Sequence, residues 1–323
     1  MSHRRIELRV ETGALDDGQS WTLAATVHLP DSPGSSAPVI VAMPGGGYTR
    51  HYFDLREHGY NQAAHHVARG MVVVALDHLR VGESDLPELE AASLAACAAA
   101  NHAVLRVILE RLRGGTLADD LAGIEPVAVI GVGQSMGGHI GLLMQAAHKS
   151  FDGLAVLGSS VVSTRLPARD QADAVCLRGQ DDPMTGLSAL VGFDFQYAFH
   201  WEDVPERFVA ADMAGQRGTG PLPYWRSATT PNAGGGLLPG HLAGAAAVVT
   251  VPILIGMGER DVCQDPLREL AAFMGTSDLA LFVAPRMAHM HNFAGSRELL
   301  WRRLDAFATQ IADRAQPAVQ MNG

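Results

Sequence analysis

The chain has 323 residues, of which 47% are hydrophobic and 18% charged, and its net charge is −10. That composition excludes bulk disorder, and the acidic balance argues against a nucleic-acid binder, which carries a basic footprint. Glycine is over-used, at 35 residues, but without the every-third spacing of a collagen-like fibre.

Three cysteines, Cys97, Cys176 and Cys263, are too few and too scattered for a disulfide framework or a zinc site. The start of the chain holds no apolar signal core. The longest apolar stretch, 242–257, is broken by Gly244, Thr250, Pro252 and Gly256 and is too short to span a bilayer. A cytoplasmic protein with no membrane partner and no cofactor is expected.

Residues 5–10 and 21–29 alternate apolar and polar side chains, which predicts an antiparallel hairpin with one wet face. Short continuous apolar runs follow at 39–43, 71–76, 127–130, 154–157, 253–255 and 279–283. Runs of this kind are strands buried on both faces of a parallel sheet. Helical patterns at 60–69, 88–113, 136–149, 265–275 and 295–313 alternate with them, and Gly114-Gly115 would close the second. Alternation of strand and helix predicts right-handed crossovers and a doubly wound α/β sheet. The rhythm fails between about 161 and 248, a block too long for a simple loop. The expected organisation is therefore a core of 1–160 and 249–316, an insertion at 161–248, and a frayed tail at 317–323.

The apolar run from Val127 enters Gly133-Gln134-Ser135-Met136-Gly137-Gly138 and then a helix. This is G-x-S-x-G in a strand–turn–helix setting, where a serine on a sharp turn projects its Oγ above the sheet edge. The helix start beyond it offers free N–H groups to a developing oxyanion. Strand 39–43 runs into Pro44-Gly45-Gly46-Gly47-Tyr48. Its glycines suit close approach of backbone to substrate. The expected oxyanion donors are Met136 N–H and Gly46 N–H, with Gly47 as the alternative. A phosphate-binding loop is disfavoured, since no G-K-[ST] follows.

Taken together, these segments resemble the α/β-hydrolase superfamily. Gly133-Gln134-Ser135-Met136-Gly137 is similar to its nucleophile elbow. Pro44-Gly45-Gly46-Gly47 is similar to the His-Gly-Gly-Gly loop of esterases, with proline for histidine, and Asp77-His78-Leu79-Arg80-Val81-Gly82-Glu83-Ser84 resembles the D-x-R-G-x-G-x-S turn. The resemblance implies an eight-stranded, mostly parallel sheet with a cap inserted after the sixth strand, and a triad in the order Ser, acid, His.

The last two apolar runs end in Gly256-Met257-Gly258-Glu259-Arg260-Asp261 and in Ala288-His289-Met290-His291, at the carboxyl edge where α/β sites lie. Asp261, in a turn that resembles the family's G-x-x-D, is the expected acid, with Glu259 the alternative, pairing otherwise with Arg260 or solvent. His289, which matches the family's position just after the last strand, is the expected base, with His291 a neighbour that packs or titrates. Asp265 reads as the N-cap of a helix opening at Pro266, and Asp181 and Asp182 as surface groups. His65-His66 reads as surface or satisfied core. No third ligand accompanies His289 and His291, so no metal is expected.

Five of the 19 aromatic residues fall in nine positions: Phe193, Phe195, Tyr197, Phe199 and Trp201. In an extended segment they would share one face. They would serve as a hydrophobic wall over Ser135 admitting a bulky apolar or aromatic group, as the core of the insertion, or as a homodimer contact. Tyr48, beside the glycine loop, joins them as a candidate substrate contact, and Tyr224-Trp225 suits the same roles. The expected activity is that of a serine esterase or lactonase on a small-molecule ester. A thioesterase, amidase or C–C bond hydrolase would use the same triad, and a non-catalytic binding protein would keep the site without turnover.

Overall fold

The computed structural model describes residues 3–177 and 193–315. Asp181, Asp182 and the tail at 317–323 lie outside the described residues. Eight strands form one sheet: β1 (Arg4–Glu11), β2 (Thr22–Leu29), β3 (Ser36–Met43), β4 (Val72–Leu76), β5 (Glu125–Gln134), β6 (Gly153–Leu157), β7 (Ile253–Arg260) and β8 (Leu279–Ala288). Their order across the sheet is β1-β2-β4-β3-β5-β6-β7-β8. The pairings of β1 with β2 and of β2 with β4 are antiparallel, and all others are parallel.

Helices cover both faces of the sheet. On one face α2 (Leu94–Arg113) and α3 (Met136–His148) pack on Val39, Val41, Val72 and Val74. On the other, α1 (Gln62–Val67) and α9 (Arg297–Ala315) pack on Ile40, Ala42, Val73 and Ala75. Alternate residues of one strand thus feed opposite cores, so the central strands read as unbroken apolar runs. Helix α2 starts at Ser93, whose side chain accepts the Ala96 N–H, and it stops at Gly114, followed by Gly115 at φ +64°.

The hairpin is less wet than its pattern predicts. Strand β1 alternates as expected, but β2 is buried along almost its whole length. Its polar positions are taken up internally: Thr26 Oγ1 donates to Glu7 and accepts from Arg50 Nε, and His28 pairs with His3 at 3.0 Å. Being second from the edge, β2 has neighbours on both sides, which an isolated alternating pattern does not reveal.

The long connection between β6 and β7 contains α4 (Gln171–Cys176), α5 (Phe195–Phe199), α6 (Glu206–Arg217) and α7 (Ala243–Ala247). A short α8 (Pro266–Leu270) follows β7. Asp265 occupies its N-cap position, but the Asp265 side chain makes no capping bond. No helix among the described residues is long and apolar enough to cross a membrane.

Candidate active site

The carboxyl ends of β3, β5, β6, β7 and β8 converge on one point. Strand β5 delivers Ser135, which sits at φ 54°, ψ −122°, a conformation rare for a residue with a side chain. The turn holds it there. Ser135 N–H donates to Leu157 O at 2.8 Å, and Ser159 Oγ donates to Ser135 O at 2.6 Å. The glycines are required by contact: a β-carbon on Gly133 would overlap the Gly137 backbone, and one on Gly137 would run into the carbonyls of Met43 and Pro44. The elbow is thus wedged directly against the end of β3.

The Pro44–Gly47 loop is held from below by His78. The carbonyl of Pro44, 3.0 Å from His78 Nε2, can only accept, so that nitrogen carries the proton. His78 Nδ1 then accepts from Asn101 Nδ2 at 2.8 Å. Burial pushes the His78 pKa down to about 4, so the ring is neutral near pH 7. Among the described residues, no hydrogen bond takes up the N–H of Gly46, Gly47 or Met136. Met136 opens α3, where no preceding carbonyl answers its N–H. All three residues line one cavity with Ser135.

His289 bridges Ser135 and Asp261. Its Nε2 lies 3.0 Å from Ser135 Oγ and its Nδ1 2.7 Å from Asp261 Oδ1. A carboxylate accepts only, so Nδ1 carries the proton and Nε2 presents its lone pair to the serine hydroxyl. The backbone of His289 is tied down at its carbonyl by Gln134 Nε2 at 3.0 Å and at its N–H by Ala198 O at 3.1 Å. Asp261 accepts Val262 N–H on Oδ1 and Gly258 N–H on Oδ2, each at 2.8 Å, and His291 Nε2 lies 2.7 Å from Oδ2. Burial acts to raise the pKa of Asp261, but the imidazoles of His291 and His289 outweigh it and hold the carboxyl well below the usual range. Glu259 is elsewhere: it accepts from the Arg286 N–H, and Arg260 pairs with Glu202 instead.

The cavity above Ser135 has a volume of about 280 Å³. Its walls include Met136, Gly158, Phe195, Phe199, Leu237 and Met290. The aromatic segment is not extended. Residues 195–199 form one helical turn, started by Asp194, whose side chain accepts the Gln196 N–H. Helical spacing puts Phe195 and Phe199 on the same side, and both line the cavity, with the Phe199 ring 5.4 Å from that of His289. Phe193 turns into a small core with Leu166, Leu177, Ala198 and Val262. Tyr197 and Trp201 flank the Arg260 guanidinium at 3.8 and 4.6 Å.

Tyr48 does not face the cavity either. It is buried, and its hydroxyl donates to Asp212 on α6. Trp225 Nε1 donates to the same carboxylate, and Tyr224 Oη bonds with Arg56 N–H and Glu57. His139, which reads from the sequence as a surface or satisfied core histidine, lines the cavity. Its spacing of one helical turn from Ser135 at the start of α3 is the signal in the sequence. Burial pushes its pKa down to about 4.

Among the described residues, two further groups bring three possible metal ligands together, His3–His28–Asp54 and His65–His66–Asp305. In each the carboxylate already pairs with an arginine, Arg5 and Arg69 respectively. A cation would have to displace that charge, so neither donor set is suited to a metal. Cys97 and Cys263 are free and buried.

Solved structures with the same architecture span almost the whole chain. The proline iminopeptidase of Mycobacterium smegmatis superposes with a TM-score of 0.62 at 19% identity, covering 98% of this chain and 100% of that one. A thermostable carboxyl esterase from Bacillus coagulans gives 0.63 at 19% identity, covering 96% and 100%. An esterase from Exiguobacterium antarcticum gives 0.61 at 19% identity, covering 92% and 98%. At these identities the likeness is one of fold. No curated protein matches the chain by sequence. The family model of the alpha/beta hydrolases matches residues 39–300. That span runs from β3 through the elbow and the ends of β7 and β8 to the start of α9, and the chain belongs to the alpha/beta hydrolase family.

Proposed function

We propose that the protein is a serine hydrolase that opens a carboxylic ester or lactone through an acyl-enzyme. Ser135 is the nucleophile, His289 the base and Asp261 the carboxylate that orients the base. The observation that carries this reading is the pair of hydrogen bonds on one imidazole, 3.0 Å to Ser135 Oγ and 2.7 Å to Asp261 Oδ1. Ser135 Oγ attacks the carbonyl carbon while its proton passes to His289 Nε2. The carbonyl electron pair moves onto oxygen, which receives the N–H groups of Met136 and Gly46, with Gly47 the alternative to Gly46. Collapse breaks the carbon–oxygen bond, and the proton on His289 goes to the departing alcohol. Water then gives a proton to His289 and adds to the acyl carbon, and Ser135 leaves with that proton. Asp261 stays ionised and supports the imidazolium.

Apolar walls with neutral polar groups favour an uncharged substrate. The volume of about 280 Å³ lies at the low end for small-molecule sites. We therefore read the bulky apolar group as a single ring or a short branched chain, against Phe195 and Phe199. The segment 161–248 acts in this reading as a cap over Ser135. The two free buried thiols suit a reducing, cytoplasmic setting.

The test is labelling by a fluorophosphonate together with hydrolysis of matched p-nitrophenyl ester, thioester and anilide. Ser135→Ala is expected to lose both labelling and ester turnover. Undiminished labelling of that variant would overturn the assignment, and faster cleavage of the thioester or anilide would move the reaction to that bond.

A further inference from the structure

Two histidines meet one carboxylate in this site, and the triad uses one of them. His289 takes Oδ1 of Asp261 and His291 takes Oδ2, each at 2.7 Å. The remaining donors to the carboxylate, Gly258 N–H and Val262 N–H, come from its own turn. The two imidazoles arrive from the segment after β8, so they join the acid turn to the base segment. Their rings are 6.4 Å apart at 78°, each bonded to a different oxygen of the carboxylate. Gly158, at φ +53°, closes the group from β6: a β-carbon there would lie 3.2 Å from His289 Nδ1 and His291 Cε1 and 3.3 Å from Asp261 Oδ1.

We propose that His291 is a positioning residue, a hydrogen-bond donor that holds Oδ2 so that Oδ1 stays aimed at His289. The inference rests on the triad reading above and adds a fourth member to it. Nε2 faces a carboxylate and so carries a proton. Nδ1 is buried and has no hydrogen-bond partner among the described residues, so the ring is anchored through Nε2, and its bond goes to Oδ2. With Oδ2 held, Oδ1 keeps its direction toward His289 when Ser135 gives up its proton. A histidine is suited to this place because it spans from the backbone after His289 to Oδ2 with a rigid ring of few rotamers.

The experiment compares the full-length protein with His291→Gln, whose amide can present a donor at similar reach, and with His291→Leu, which cannot donate. Two readouts are taken. One is kcat and KM on a p-nitrophenyl ester. The other is the low-field proton resonance of His289 Nδ1–H in the absence of substrate, identified by its loss in His289→Gln. His291→Leu is expected to lower kcat by about 10- to 100-fold, the scale of a small misplacement in an active site, with KM nearly unchanged, and to lose or shift the resonance. His291→Gln is expected to restore both. Wild-type kcat in His291→Leu, or equal losses in both variants, would overturn the proposal. If His291→Leu does not fold, His291→Gln decides alone: a folded protein without the resonance overturns it, and one that keeps resonance and kcat supports it. The resonance needs no turnover. A normal resonance pattern in a protein that hydrolyses nothing would sink the proposed function alone. Ser135-dependent hydrolysis indifferent to His291 would sink this inference alone.

Discussion

The Tyr48 hydroxyl donates to Asp212 Oδ2 at 2.7 Å, across 164 residues of sequence. Asp212 also receives His200 Nε2 and Trp225 Nε1 and faces Arg226. Thr49 N–H donates to Trp225 O and Ser227 N–H to Gly47 O, each at 2.9 Å. One buried carboxylate in the insertion thus anchors the strip of chain that seats the glycine loop. Tyr48→Phe removes one donor and is expected to cost about 1–3 kcal/mol. Asp212→Asn also removes the negative charge that faces Arg226, at about 3–5 kcal/mol. Urea unfolding of the two variants would reveal the order.

Asp261→Asn is expected to lower kcat by roughly four orders of magnitude, because the amide favours the wrong tautomer of His289. Its stability effect depends on pH. The folded carboxyl titrates below its unfolded value, about 3.9. Its stabilisation is therefore fully present above that value and is lost as pH falls through the folded pKa. Acid unfolding curves of wild type and Asn variant should begin to approach each other below about pH 4 and converge only as pH falls through the folded pKa.

His78 acts over a different window. Its folded pKa is about 4 against a reference of 6.5. The unfolded chain binds the extra proton between these values, so stability falls on acidification from 6.5 toward 4. His78→Gln should reduce the slope of unfolding free energy against pH in that window by up to about 1.4 kcal/mol per unit. An unchanged slope would mean that the ring is protonated in the folded state.

Gly137→Ala adds a single methyl group against the Met43 and Pro44 carbonyls. Backbone cannot yield there without moving the elbow. A loss of about 3 kcal/mol is expected, with activity falling further than stability because Ser135 shifts with the turn. Thermal melts and single-turnover labelling rates measure the two separately.

The five aromatics clustered at 193–201 divide by function in this reading. Phe199→Ala and Phe195→Ala are expected to raise KM for an aromatic ester by about tenfold, equal to some 1.4 kcal/mol, while sparing the corresponding acetate. Tyr197→Leu should leave both KM values unchanged, since that ring packs on Arg260. A tenfold effect from Tyr197→Leu would mean that the wall of the cavity lies elsewhere.

Much of this arrangement is legible along the chain, for a local reason. The apolar runs that bury both faces of a strand, the glycines that let Ser135 turn, and the ends of β7 and β8 that bear Asp261 and His289 all depend on near neighbours in sequence. Those three side chains meet as their spacing and strand ends suggest. The Asp194 N-cap was a readable sign that residues 195–199 turn into helix, though strict alternation of the aromatics pointed the other way.

By itself, the sequence determined the doubly wound sheet and the elbow, because period and glycine are properties of short segments, while the order serine, acid, histidine is what the family resemblance implies. Only the tertiary structure decided that Tyr48 serves Asp212 and not the cavity, that two of five aromatics face Ser135, and that His291 shares Asp261. Each of these depends on which surfaces meet after folding, and a carboxylate accepts donors from any element brought within about 3 Å of it, whatever their distance along the chain.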